Sequence, residues 1–437
     1  MDPVHDGDRP AGGAVMSVLR EFRSFGWPSR LLMINQFGIN LGFYMLMPYL
    51  AGYLAGPLGL AAWAVGLVLG VRNFSQQGMF IVGGTLADRL GCKPLIVAGC
   101  LLRTVGFGML VVAQSLPVVL IAAAATGFAG ALFNPAVRSY LAADAGERRV
   151  EAFALFNVFY QAGILVGPVV GLALMAIDFR LTAAGATAVF AVLTVAQLFA
   201  LPKHEAGPGG EPTSVLHDWR TVLANRSFLL FAGAMIGSYV LSFQVYLALP
   251  LYAAHLVPEH DSAIIAAMFV VSGVVAVASQ LRITRWFSGR WGSSRSLMIG
   301  MAVVASAFMP LLLLPAAVFG VPVAVAALLV SAAVLAIGSA AVFPFEMDTV
   351  VALADGRLVG THYGFYSTIV GVGILAGNVG TGALMQAAGA RGAGAVVWLV
   401  LIGIGLVCAA ALRALGRAGR LTAASAGSGV CQSAPAR

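Results

Sequence analysis

Apolar residues run along this chain in long blocks separated by short polar breaks. The hydrocarbon core of a bilayer is roughly 30 Å thick and each helical residue rises about 1.5 Å, so a block of about 20 apolar residues has the length that spans it. The pattern predicts membrane helices over 29–54, 62–86, 94–115, 117–142, 152–176 and 180–201. A second set follows over 227–253, 262–285, 296–315, 322–345, 360–386 and 393–414. Twelve spans would put both termini on one side of the membrane. The first block follows a polar leader and ends without a small-residue cleavage site, so it is expected to remain as a span.

The longest internal break, 202–226, carries Pro202, Lys203, Pro208, Gly209, Gly210 and Pro212 and divides the spans six and six. The expected organisation is a cytoplasmic segment over 1–28, a six-helix bundle over 29–201, a cytoplasmic linker over 202–226, a second six-helix bundle over 227–414 and a tail over 415–437. Residues 1 to about 15 and the tail are too poor in large apolar groups to bury a core and are expected to be disordered. Residues 16–26 alternate apolar and basic groups at helical spacing, which suits either a helix lying on the inner membrane surface or a plain leader to the first span. Three segments recur in order: GCKPLIVAG (91–99) as GSSRSLMIG (292–300), YLAADAGER (140–148) as VALADGR (351–357), and GILVGPVVG (163–171) as GILAGNVG (373–380). Such echoes favour two related halves, as in transporters built from repeats.

Composition sharpens this picture. Of 437 residues, 60% are hydrophobic and 10% charged, against roughly 25% charged in an ordinary soluble domain, so a soluble protein is excluded. The 53 glycines point to closely packed helices, because two backbones approach where side chains are absent. With the N-terminus inside, only Arg180 and Arg391 fall in outer loops and only Arg72 and Arg103 lie deep within spans; the other basic residues are on the inner side. The positive-inside rule then predicts an N-in, C-in topology. The net charge of +8 reports that orientation and not nucleic-acid binding. Cys92, Cys100, Cys408 and Cys431 lack the spacing of a disulfide framework or a zinc site. No HExxH, paired acids or Ser and His cluster marks a membrane enzyme, and no cofactor or metal is expected.

The sharpest local signal is GGTLADRLGCKPL (83–95), in the short inner loop between spans two and three. It resembles the signature of the major facilitator superfamily, with Gly84, Asp88, Arg89, Gly91 and Lys93 in the matching places and Cys92 where a first basic residue is usual. The resemblance implies that Asp88 faces the start of the eleventh span near Gly360 to Gly364, with Arg138 or Arg148 close by, and that this contact latches the inner gate. Positive-inside bias alone would account for Arg89 and Lys93 but not for an acid. GILVGPVVG in span five resembles the family's antiporter-associated motif through Gly163, Gly167, Pro168 and Gly171, which implies an exporter. A proline removes one helical hydrogen bond and the glycines admit a neighbouring helix, so a pliable, flat interface is expected there.

The stretch VGLVLGVRNFSQQGMFIVGGTLADRLGCKPLIVAGCLLRTVGFGM, with LFNPAVRSYLAAD after it, is similar to the bacterial MdtH-type multidrug-resistance branch of the drug:proton antiporters. QLRITRW (280–286) and FPFEMDT (343–349) carry a thinner likeness into the second half. The fourth-span arginine typical of many proton-coupled members is absent, with Ala123 near its place.

Polar side chains are costly in hydrocarbon unless they face a cavity or a partner, so stripes of them mark a pathway. Gln36, Asn40 and Tyr44 recur at helical spacing in span one, Arg72 and Gln76 in span two, and Asn157 and Gln161 in span five. Arg103 stands alone in span three; Tyr239, Gln244 and Tyr246 lie in span seven and Tyr363 and Tyr366 in span eleven. The nearest acids, Glu346 and Asp348, are placed at the inner end of span ten, which leaves a positive central cavity suited to anionic or neutral-polar solutes or lipid headgroups. Glu346 and Asp348, with His362, are the candidates for proton coupling. The expected activity is secondary transport of a small molecule across the bacterial cytoplasmic membrane by a monomer, as export with proton antiport or, alternatively, as import of a polar or anionic solute. A receptor or scaffold on the same fold would leave Asp88 dispensable.

Overall fold

The computed structural model describes residues 20–202, 215–354 and 358–421. The expected N-terminal segment up to residue 19, most of the linker (203–214), residues 355–357 and the tail beyond 421 lie outside the described residues, as do the side chains of Asp88, Arg89 and Glu151.

Every regular element among the described residues is helical. The first half comprises α1 (Trp27–Ala55), α2 (Ala62–Gln77), α3 (Phe80–Leu90), α4 (Cys92–Val112), α5 (Leu116–Ala145), α6 (Arg149–Met175) and α7 (Phe179–Ala200). A short helix α8 (Val215–Ala224) lies within the stretch expected to be linker. Then come α9 (Arg226–Ser242), α10 (Ala248–Leu256), α11 (Asp261–Arg290), α12 (Ser293–Ser306), α13 (Met309–Leu313), α14 (Ala316–Phe319), α15 (Val321–Leu353), α16 (Val359–Ala390) and α17 (Ala395–Arg417). Nine helical stretches among the described residues are long and apolar enough to cross a membrane. The stretches predicted over 29–54, 62–86 and 262–285 are also helical but fall outside those nine. Polar side chains dilute two of them, Gln36 and Asn40 in α1 and Arg72 to Gln77 in α2, while the described part of α11 supplies a shorter apolar helix over Asp261–Ala276.

The breaks inside predicted spans have local causes. Pro250 cannot donate a backbone hydrogen bond, and α9 gives way to a 3-10 turn (Phe243–Tyr246) before α10 begins. Pro310 stands in the same relation to the break between α12 and α13. Between α2 and α3, the hydroxyl of Thr368 on α16 donates to the carbonyl of Gly78 over 3.1 Å. Gly91 turns the chain between α3 and α4 at a φ of 81°, a conformation that glycine adopts freely.

Buried apolar side chains fall into two clusters, one drawn from Phe25 to Leu201 with Leu247 added, the other from Val222 to Leu421 with Tyr49 added. The two exchanged residues mark where the halves interlock. Large apolar side chains such as Val112, Val192, Phe199, Val318 and Val407 point outward, which suits a protein solvated by lipid.

Glycine sets the closest approaches. A Cβ on Gly66 of α2 would lie 2.8 Å from the backbone carbonyl carbon of Asn378 on α16, and one on Gly171 of α6 would lie 2.8 Å from that of Met45 on α1. The same contact scheme recurs in both halves. Gly163 and Gly167 of α6 back onto Asn40 and Tyr44 of α1, and Gly373 and Gly377 of α16 back onto Ile236 and Val240 of α9. The start of α1 is tied to the end of α5 by Asp144, which accepts from Ser29 N at 3.1 Å and Ser29 Oγ at 2.5 Å. The start of α9 is tied to the end of α15 by Asn225, whose Nδ2 donates to Leu353 O at 2.9 Å.

Overpacking a well-filled contact costs about 1–3 kcal/mol. Gly66→Leu is therefore expected to lower the melting temperature of the purified protein, whereas Gly233→Leu, where a Cβ would meet nothing within 4 Å, is expected to leave it unchanged. Equal shifts in a detergent melt would contradict this account.

Candidate functional site

The polar residues of the membrane helices gather into two buried groups, one in each half. In the first, Arg72 on α2 is 9% exposed. Its Nη1 donates to Asn73 Oδ1 at 2.6 Å and its Nη2 to Gln76 Oε1 at 2.5 Å. Its guanidinium carbon sits 4.4 Å from the centre of the Phe43 ring, a cation–π contact. Tyr44, Tyr160 and Tyr246 all lie within electrostatic reach of Arg72, and the hydroxyls of Tyr246 and Tyr44 are bonded across the two halves at 3.2 Å. Phe269 closes over both tyrosines, with ring centroids 6.3 Å from Tyr44 and 5.5 Å from Tyr246.

Arg103 on α4 is 5% exposed. Its guanidinium carbon lies 5.6 Å and 5.7 Å from the Phe133 and Phe190 ring centres. The arginine extends past α5 toward Gln76: a Cβ on Gly130 would meet Gln76 Cδ at 3.1 Å and Arg103 Nη2 at 3.3 Å. Gln76, bonded to Arg72, and Arg103 thus pack on the same glycine. No carboxylate is among the described partners of either.

The second group centres on Glu346. Sequence placed this acid at the inner end of its span, with no acid deeper. Instead α15 runs on to Leu353, about two helical turns past the predicted end, and Glu346 is enclosed, at 2% exposure. Tyr239 on α9 and Tyr366 on α16 each donate to its Oε1 at 2.7 Å. A buried carboxylate needs such donors to offset its lost hydration. Asp348, grouped with it from sequence, differs: it is exposed and accepts from Ser293 Oγ at 2.9 Å. His362 is buried, with Nδ1 3.0 Å from Leu358 O and its ring edge-on to Phe228.

The remaining sequence candidates are dispersed. Gln36 and Asn40 are buried, and Asn40 Nδ2 donates to Gln36 O at 2.9 Å within α1. Gln244 is buried and donates to Val240 O at 2.7 Å, beside the break in its helix. Tyr363 donates to Met347 O at 3.0 Å. Gln161 is half-buried and Asn157 exposed, one residue after and three residues before Tyr160 on α6. Gly84 belongs to α3, whose start packs through Ile81 against Gly364 of α16. Asp88 and Arg89 are carried at the far end of the same helix, but their side chains lie outside the described residues. Gly91 makes the turn and Lys93, half-buried, opens α4. Arg138 is exposed on α5; Arg148 donates to Ser24 Oγ at 3.0 Å and lies 4.2 Å over Phe25. Gly163, Gly167 and Gly171 pack α6 on α1, and Tyr49 donates to Pro168 O at 2.5 Å.

Sequence reasoning missed Tyr160, Phe43 and Phe269, because an aromatic on an apolar helix reads as core. It also missed Asp144, whose pairing with a serine at another helix start shows only in three dimensions, and the buried amides Asn35, which lies beside Cys100, and Gln197 and Asn378, none of whose side-chain polar atoms has a partner among the described residues.

Residues 32–328 match the Major Facilitator Superfamily. The chain is 67% identical over 395 residues to the uncharacterized MFS-type transporter Rv0849 of Mycobacterium tuberculosis, covering 90% of this chain and 94% of that protein. It is 29% identical over 399 residues to the multidrug resistance protein MdtH of Klebsiella pneumoniae, covering 91% and 96%. Among solved structures, a variant of the nucleoside transporter NupG aligns at a TM-score of 0.74 and 17% identity over 89% of this chain and 99% of that one. The peptide transporter POT in complex with sulfate aligns at 0.74 and 16% over 93% and 99%.

A hydrogen bond to a charged group contributes about 1.5–3 kcal/mol. Tyr366→Phe is expected to destabilise the protein by about that much and to cost far less in a Glu346→Leu background, read as a double-mutant cycle in denaturant. Equal costs in both backgrounds would show that the tyrosine is not spent on this carboxylate.

Proposed function

This chain belongs to the Major Facilitator Superfamily and is a multi-pass transporter of the bacterial cytoplasmic membrane, not an enzyme; from that premise we propose that it exports a small molecule by alternating access in exchange for protons. The observation that carries the proton-linked reading is Glu346, the one carboxylate among the described residues that is both buried and held by side chains of two other helices. A carboxyl group in that setting changes charge only when a conformational change opens it to water, which is what coupling requires. Export is favoured by the likeness to MdtH, named for multidrug resistance, and by the glycine-rich face of α6.

In this reading the nine apolar stretches and the three other helical ones make twelve spans in two six-helix bundles, over 29–201 and 227–414, with both termini inside and the chain acting as a monomer. The two buried clusters support the division. Gly84, Asp88, Arg89, Gly91 and Lys93 form the inner latch against the start of α16, with Arg138 or Arg148 as its basic partner. The glycine contacts of α6 with α1, at Gly163, Gly167, Pro168 and Gly171, form a smooth surface on which those helices shift. Gln36, Asn40, Tyr44, Arg72, Gln76, Arg103, Asn157, Gln161, Tyr239, Gln244, Tyr246, Tyr363 and Tyr366 face the transported molecule or brace the groups that do.

Two outcomes are expected in proteoliposomes carrying a pH gradient. Glu346→Gln removes the acceleration of transport by the gradient while exchange without a gradient persists. Asp88→Asn lowers both by about tenfold, the scale of one charge-assisted hydrogen bond. Gradient-driven accumulation in the opposite direction would replace export by import, and an Asp88→Asn protein with full activity would remove the latch.

A further inference from the structure

A guanidinium stays protonated, so a buried one requires acceptors, a counter-anion or water. Arg72 meets part of that need with neutral groups: the amide oxygens of Asn73 and Gln76 and the face of Phe43. Arg103 does not. Among the described residues no hydrogen-bond acceptor is bonded to it and its Nε is buried without a partner; its neighbours are the faces of Phe133 and Phe190 and the Cys100 thiol one turn away on α4. Breaking a buried ion pair so that one charge is left alone is strongly destabilising, so a lone charge retained at 5% exposure points to an absent partner of opposite sign.

Arg72 lies within electrostatic reach of Arg103, and Arg103 Nη2 and the Gln76 side chain both pack on Gly130, where a Cβ would meet them at 3.3 Å and 3.1 Å. Gln76 gives its oxygen to Arg72, which leaves its amide N–H groups as donors. The one buried carboxylate among the described side chains, Glu346, is bonded to tyrosines of the second half. Two guanidiniums and an amide donor therefore lie near one another with no acid among their described partners, beside the rings of Phe43, Phe133 and Phe190.

We propose that Arg103, with Arg72 and the Gln76 amide behind it, binds the anionic group of the transported molecule, a carboxylate, phosphate or sulfonate on an apolar or aromatic body. This rests on the transport reading above and adds the substrate class. Arg103 is the primary anchor because its donors are unspent; Arg72 contributes charge more than hydrogen bonds. The chemistry is shared by a lipid headgroup, and the test separates the two sources.

The full chain is reconstituted in neutral phosphatidylcholine vesicles loaded with an anion, carboxyfluorescein or decyl sulfonate, or with the cation ethidium. Binding of the same anions to the detergent-purified protein is measured in parallel. The expected result is anion movement without ethidium movement, with both transport and binding weakened about tenfold or more by Arg103→Gln and partly kept by Arg103→Lys. Melting curves of the two variants show that each is folded. Ethidium movement that Arg103→Gln leaves intact would overturn the proposal, as would anion binding that ignores Arg103 or the absence of binding by every anion. Arg103-dependent binding abolished by adding phosphatidylglycerol to the detergent-purified protein would assign the site to a headgroup and overturn the transported anion. Arg103-dependent binding with no transport would keep the anion site and sink the transport reading instead.

Discussion

Helices in hydrocarbon gain nothing from the hydrophobic effect when they associate, because lipid tails are as apolar as the side chains they would replace. What holds this protein together is close backbone approach, and glycine decides where it occurs. Gly66 against Asn378, Gly171 against Met45 and Gly127 against Arg72 bring main chains to distances that no Cβ would fit. Because these contacts involve backbone, they have little room to adapt, and they fix the register between helices. The polar groups could be placed only after that register was set: Gly127 lets the α2 backbone at Arg72 approach α5, and Gly130 takes both the Gln76 and the Arg103 side chains.

The two halves repeat the same wiring with different chemistry. Glycine pairs pack α6 on α1 and α16 on α9, and a polar side chain ties the start of α1 to the end of α5 and the start of α9 to the end of α15, through Asp144 and Ser29 in one case and Asn225 and Leu353 in the other. Duplicated backbone contacts sit beside unlike charges. The first half buries two arginines and the second buries one glutamate under two tyrosines. A transporter that treats its cargo and its coupling ion differently has use for that division, since the same carboxylate placed beside Arg72 would be locked in an ion pair.

Much of the arrangement was legible without coordinates. Block length gave most helices to within a few residues, because the thickness of a bilayer leaves little freedom in span length. The echo of GILVGPVVG by GILAGNVG pointed to paired packing faces. Less legible were the breaks: Pro250 and Pro310 were visible, but the carbonyl at the Gly78 break is bonded by Thr368, which is 290 positions away. The tyrosine at 160 was not singled out, because an aromatic on an apolar helix carries no signal of which way it faces.

Glu346 divides what each source decides. Sequence by itself determined that the chain is a bundle of membrane helices, that its basic residues are unevenly distributed, and that Arg72 and Arg103 are charges in an apolar setting, because composition and period are local properties. Only the tertiary structure decided that Glu346 is enclosed and Asp348 exposed, two residues apart on one helix. Helical rotation of about 100° per residue turns those two side chains to different faces, and which face meets Tyr239 and Tyr366 is set by the neighbours and not by the helix itself.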